Sequence, residues 1–143
     1  MYRIRKLFKF EGAHILNNAF SKECTRCHGH SYKVEIIISS EKLNQDGMVI
    51  DFKKLNNIVR LILIDVIDHK LALDITRYTE EGTIPFPHDC IYPMYQNPTA
   101  ENMASHFYDQ IYEDIKREVH GFRSLFVRVH ETDTGWAEYG REA

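Results

Sequence analysis

The chain has 143 residues, of which 43% are hydrophobic, 27% charged and 12% aromatic. That describes one globular domain over residues 1–143, long enough to bury roughly 68–70% of the surface its unfolded chain exposes without a disulfide framework. Seven Gly and four Pro exclude a collagenous or low-complexity chain, and 18 basic against 21 acidic residues, a net charge of −3, favour neither a nucleic-acid nor a membrane-surface partner.

In chain order, residues 2–10 mix β-branched, aromatic and basic side chains, the pattern of a strand with one wet face. The N-terminus is basic but lacks the apolar region and cleavage site of a signal peptide. No apolar run is long enough to span a bilayer. Residues 12–27 read as polar and irregular. From His30 the chain alternates, with Tyr32, Val34, Ile36 and Ile38 on one face and Lys33, Glu35 and Ser39 on the other, a half-buried strand. Asn44 to Gly47 is a turn.

Asp51 caps a predicted helix running to about Val66, with Leu55, Ile58, Val59, Ile62 and Val66 as its apolar stripe. Residues 75–97 hold Pro85, Pro87 and Pro93 and read as one long loop. A second helix starts near Asn97, Pro98 and Thr99. Its stripe is Met103, Ala104, Phe107, Ile111, Tyr112, Ile115 and Val119, and Gly121 ends it. Strands over about 124–131 and 135–139 close the chain. The order ββααββ predicts an α+β domain with two helices on one face of a four-stranded antiparallel sheet. Three cysteines leave one unpaired in any disulfide scheme, which points to a reducing, cytoplasmic compartment.

The densest chemical signal runs from Glu23 to His30. His28 and His30 stand two apart at a strand start and project to one side, with Gly29 between them leaving room for an ion. Two such imidazoles are two thirds of a catalytic zinc site, which takes three protein ligands and keeps one position open. His14, near the end of the neighbouring strand, is the best third ligand. A lone His is ordinarily a surface or hydrogen-bonded residue; three in this pattern favour Zn²⁺. Cys24 to His28 also spells the Cys-x-x-Cys-His attachment motif of c-type haem, but that chemistry requires export. A thioredoxin-like pair needs a βαβ context that is absent. A four-Cys zinc ribbon fails on count. One Cys acting as a thiolate beside the metal remains.

Asp68 and His69, at the end of the first helix, form a candidate proton relay, although such a pair is ordinarily a helix-end surface feature. Glu131, at a strand end, shares the buried side of Leu125, Val127 and Val129 by period 2. One carboxylate there can accept two parallel N–H bonds from a heterocycle edge. Pro98, Thr99 and Glu101 by themselves read as ordinary helix initiation.

In order, Phe10 to His14, Cys24 with His28 and His30, Asp68-His69, Pro98 to Glu101 and Glu131 to Tyr139 resemble the 6-pyruvoyltetrahydropterin synthase / 6-carboxytetrahydropterin synthase family over nearly the whole chain. The resemblance implies a tunnelling fold (T-fold) whose subunits assemble into a barrel, a homo-oligomer expected to be a hexamer of two stacked trimers. It also implies that active sites include residues from neighbouring subunits. It puts zinc on His14, His28 and His30, the catalytic thiol on Cys24, a catalytic pair on Asp68 and His69, and the pterin anchor on Glu131, with Thr99 and Glu101 lining the pterin pocket. The implied activity is a zinc-dependent lyase acting on 7,8-dihydroneopterin triphosphate. The closing segment is most similar to the branch that yields 6-carboxytetrahydropterin, acetaldehyde and triphosphate on the route to queuosine. The pyruvoyl branch, acting on the same substrate, is the alternative; a metal-binding or haem-carrying module without catalysis is the non-enzyme alternative. A third branch uses a Glu where this chain has Thr25. Cys27 departs from the pattern and makes a Cys24–Cys27 disulfide possible. The loop over 75–97 is longer than in compact members, and its His88 and Cys90 are read as incidental.

Overall fold

A computed structural model describes residues 1–79 and 82–143. Its elements are β1 (Tyr2–His14), a 3-10 turn (Lys22–Thr25), β2 (His28–Ser40), α1 (Phe52–Val59), a π-helical turn (Arg60–Ile64), α2 (Asp65–Ile67), β3 (Lys70–Asp74), α3 (Thr76–Thr79), a second 3-10 turn (His88–Cys90), β4 (Ile91–Met94), α4 (Ala100–Glu118), β5 (Phe122–His130) and β6 (Trp136–Glu142).

The sheet differs from the four-stranded antiparallel expectation. Among the described residues it has six strands in the order β4-β3-β1-β2-β5-β6. The antiparallel part, β1-β2-β5-β6, is the one the sequence predicts. β3 and β4 extend it in parallel from the β1 side. The stretch predicted as one loop over 75–97 therefore contains α3, a 3-10 turn and β4, and Glu80 and Glu81 within it lie outside the described residues. Pro93 masked the strand in the sequence. It is tolerated because β4 is the sheet edge, where a missing N–H costs no ladder bond. The predicted first helix exists, capped by Asp51, which accepts from the Lys53 and Lys54 amides, but it passes through a π turn before Ile67.

The core lies between the helices and one face of the sheet. Met103, Ala104, Phe107, Ile111 and Ile115 of α4 meet Val34, Ile36 and Ile38 of β2 and Leu125, Val127 and Val129 of β5, all buried. Full burial of each large apolar side chain stabilises by about 1.5–3 kcal/mol. A smaller cluster (Leu71, Leu73, Ile91) lies on the other face of β3 and β4, packed by Ile75, Tyr78, Ile84 and Phe86. The opposite face of β2 is wetter in sequence than in structure. Glu35 and Ser39, predicted on a polar face, are buried.

Three strand edges stay open among the described residues, those of β4, of β6 and of most of β1. β1 pairs with β3 only over residues 12–14, leaving residues 2–11 without an outer strand partner, although Glu11 bonds Asp68 and His69, and β6 has no strand beyond it.

Candidate metal and pterin site

Ladder register builds the centre. β1 and β2 pair antiparallel with His14 opposite His28 and Gly12 opposite His30, so the three imidazoles share one face at the sheet end. Their ligand nitrogens all lie within 4.8 Å of one another. His14 Nδ1 donates to the Pro98 carbonyl at 2.8 Å, and His28 Nδ1 donates to the Arg26 carbonyl at 2.7 Å. A carbonyl only accepts, so these contacts fix both tautomers and leave lone pairs on both Nε2 atoms. Those atoms face each other at 2.9 Å, and His30 Nε2 stands 3.1 Å from His14 Nε2. Neutral lone pairs so close repel unless a cation lies between them. In tetrahedral zinc sites ligand nitrogens are separated by about 3.3 Å, as Zn–N bonds of about 2.0–2.1 Å dictate. The donor set fits a zinc-type ion. Carbonyl partners on the distal nitrogens are the usual outer support of metal-bound His. Burial lowers the pKa of His14 and of His30, against the opposing pull of Glu131, and favours the neutral form that binds metal.

Glu131 follows β5 directly. Its carboxylate oxygens lie 3.6 Å from His30 Nε2 and 3.8 Å from His14 Nε2. It also lines a cavity of about 290 Å³ with Leu16, Thr99, Glu101 and Thr132. Thr99 caps α4, its hydroxyl accepting from the Asn102 amide at 3.2 Å, so the helix-initiation reading holds and the same residue also faces the cavity. Tyr32, 1% exposed and perpendicular to the His14 ring, has a hydroxyl without a hydrogen-bond partner among the described residues.

The other predicted residues stand apart. Asp68 accepts from the Glu11 amide at 2.9 Å and from His69 Nδ1 at 3.0 Å. The Glu11 amide, ahead of the His69 contact, holds its carboxyl below the usual range. His69 takes a left-handed φ of 63°, its amide donating to the Glu11 carbonyl at 2.6 Å, and its side chain is 77% exposed. Strain of this kind persists where surrounding contacts enforce it. Cys24 sits half-buried in the first 3-10 turn, and all three cysteines are free. Among the described residues no hydrogen bond or ion pair joins Cys24 to Asp68 or His69. Cys90 lines a cavity with His69 and Glu11, and His88 lines a separate one with Tyr78 and Ile84.

Sequence reasoning missed the Pro98 and Arg26 carbonyls, which leave no trace in side-chain pattern, and the buried Glu35. Glu35 accepts from Arg5 at 2.5 Å and from Arg128 and His130 at 3.1 Å each. An acidic residue between Val34 and Ile36 was its only sequence signal.

The sequence profile described as 6-pyruvoyl tetrahydropterin synthase matches residues 3–142. A protein of Haemophilus influenzae named 6-carboxy-5,6,7,8-tetrahydropterin synthase is 30% identical, over 97% of this chain and 99% of its own. One of the same name from Aquifex aeolicus is also 30% identical, over 99% of both chains. The crystal structure of 6-pyruvoyl tetrahydropterin synthase from Plasmodium vivax superposes with a TM-score of 0.76 at 22% identity over all of both chains, which establishes a shared T-fold. With residues 3–142 matched and the relatives aligned nearly end to end, the chain belongs to the 6-pyruvoyl tetrahydropterin synthase family.

Proposed function

We propose that this protein is a zinc-dependent lyase that eliminates triphosphate from 7,8-dihydroneopterin triphosphate to yield 6-carboxytetrahydropterin and acetaldehyde, a step toward queuosine. The observation that carries the reading is the convergence of three imidazoles, two of them tautomer-fixed, on the Glu131 carboxylate, which itself lines a cavity. The names of the 30%-identical relatives favour the carboxy product over the pyruvoyl one.

His14, His28 and His30 hold the metal. When bound, zinc supplies Lewis acidity to the hydroxyls of the substrate side chain. Glu131 accepts from the pterin 2-amino group and N3–H, two parallel charge-assisted bonds that position the ring. Thr99 and Glu101 line the same pocket. Cys24, as thiolate, takes a proton from the side chain. His69, held by Asp68, gives or takes the next one.

Among the described residues no hydrogen bond or ion pair joins Cys24 to the Asp68–His69 pair, which supports a site shared between copies. The open edges support the same assembly: β6 of one copy runs antiparallel to the free part of β1 in the next if the strand alternation continues, and a closed ring of sheets removes both edges. A hexamer of two such rings in the cytoplasm is the expected form.

Incubation of the zinc-loaded protein with 7,8-dihydroneopterin triphosphate tests the reading. Acetaldehyde with 6-carboxytetrahydropterin is the expected outcome. An intact three-carbon side chain would move the assignment to the pyruvoyl branch, and unchanged substrate would overturn the lyase.

A further inference from the structure

The face of the sheet opposite α1 and α4 carries a charged network that the proposed chemistry does not use. Its root is Glu35 at the middle of β2, 3% exposed. Glu35 accepts from Arg5 of β1 at 2.5 Å, and from Arg128 and His130 of β5 at 3.1 Å each. Arg128 also donates to Glu138 of β6, from Nε at 3.0 Å and Nη2 at 2.9 Å. The guanidinium so clamped lies 4.0 Å from the ring centroid of Trp136, and Trp136 is the cross-strand partner of His130. One buried carboxylate therefore ties four strands together.

The network ends at the base of the β5–β6 hairpin. His130 and Trp136 are its last paired residues, and both are gripped from the face opposite α4. The next residue is Glu131, which alternation turns to the opposite face, where its oxygens reach 3.6 and 3.8 Å from the imidazoles. A buried ion pair is seldom more stabilising than apolar residues of the same size, and Ile37 and Phe126 show that this face accepts apolar side chains. What a fully partnered polar network adds is a single position for the groups it holds.

We propose that Glu35, acting through His130 and Arg128, is a positioning residue for Glu131, setting the carboxylate where it meets the donor edge of a pterin. The inference rests on the reading of Glu131 as the pterin anchor. Glu35 does not touch the ligand. Its effect passes through the hairpin base alone, so it vanishes when Glu131 no longer supplies the carboxylate.

A double-mutant cycle reads that dependence. The probe is 7,8-dihydroneopterin, titrated by fluorescence into the zinc-loaded protein. Glu35→Gln is expected to weaken binding at least fivefold in the otherwise unchanged protein and by less than twofold in the Glu131→Gln background. Zinc content should stay at the unsubstituted level. Trp136 is the only tryptophan, so its emission reports directly whether the clamp has loosened. His130→Val breaks the clamp from its other end and serves if Glu35→Gln does not fold; His130→Gln keeps a donor and should restore affinity. Equal weakening in both backgrounds would make Glu35 a general structural residue and overturn the proposal while leaving the pterin reading intact. Unchanged affinity in Glu35→Gln would overturn it as well. Failure of the unsubstituted protein to bind the pterin would remove the anchor reading and the proposal together.

Discussion

The three-His centre and the Asp68–His69 pair differ in how completely one chain builds them. At the centre every imidazole has a neighbour, two tautomers are fixed by carbonyls, and His14 is fully buried. At the pair, His69 is largely exposed, and Cys24 lies in a different turn, with no hydrogen bond or ion pair to it among the described residues. A strand ladder can finish a metal site locally. An exposed acid–imidazole pair beside an open strand edge is unfinished until something covers that edge.

The largest effect should follow from removing a ligand. His28→Ala is expected to lower zinc from about one per chain to near zero by metal analysis, and full retention would place the metal elsewhere. Next comes Cys24→Ala, expected to cut turnover about 10²–10⁴-fold with zinc retained, as loss of a positioned proton-transfer group does. Cys27→Ala should keep most activity; if it is the inactive variant instead, the loop assignment is wrong. Mixing Cys24→Ala with His69→Ala and letting the subunits exchange sharpens the contrast. Restored turnover would mean that two chains share each site, whereas mixtures as inactive as their parents would put the whole relay in one chain.

Glu131→Gln should weaken pterin binding by about 2–5 kcal/mol, because buried donors lose their charged acceptor, with zinc and fold intact. An affinity within twofold of the parent would remove Glu131 from the site. The smallest effect concerns acid stability. Burial pushes the Glu35 carboxyl up, but the His130 hydrogen bond together with Arg128 and Arg5 brings it below its ordinary value. A carboxyl lowered on folding contributes stability that is fully present above the unfolded pKa and is lost as pH falls through the folded one. Glu35→Gln should therefore flatten the decline in Tm below about pH 4.5, the ordinary value of the group. An unaltered acid limb would show that the network is not coupled to folding.

The legible parts of the molecule were the local ones. The spacing of His28 and His30 announced the face on which the imidazoles gather, and the strand before them placed His14. Asp51 and Thr99 announced two helix starts, and both cap as expected. β3 and β4 were not legible, since five and four residues carry little periodicity and their parallel partners are distant in sequence. Glu35 read as solvated because alternation reports which face a residue is on, not what covers that face. The lack of a hydrogen bond between Cys24 and His69 among the described residues was equally hidden, because motif order gives no distances.

Release of inorganic triphosphate from 7,8-dihydroneopterin triphosphate, followed in the zinc-loaded protein and in the same protein stripped by chelation, tests the central claim most directly. Release by the loaded protein, its loss on stripping and its recovery when zinc is restored are the predicted result. No release from the loaded protein, or undiminished release after stripping, would contradict the account.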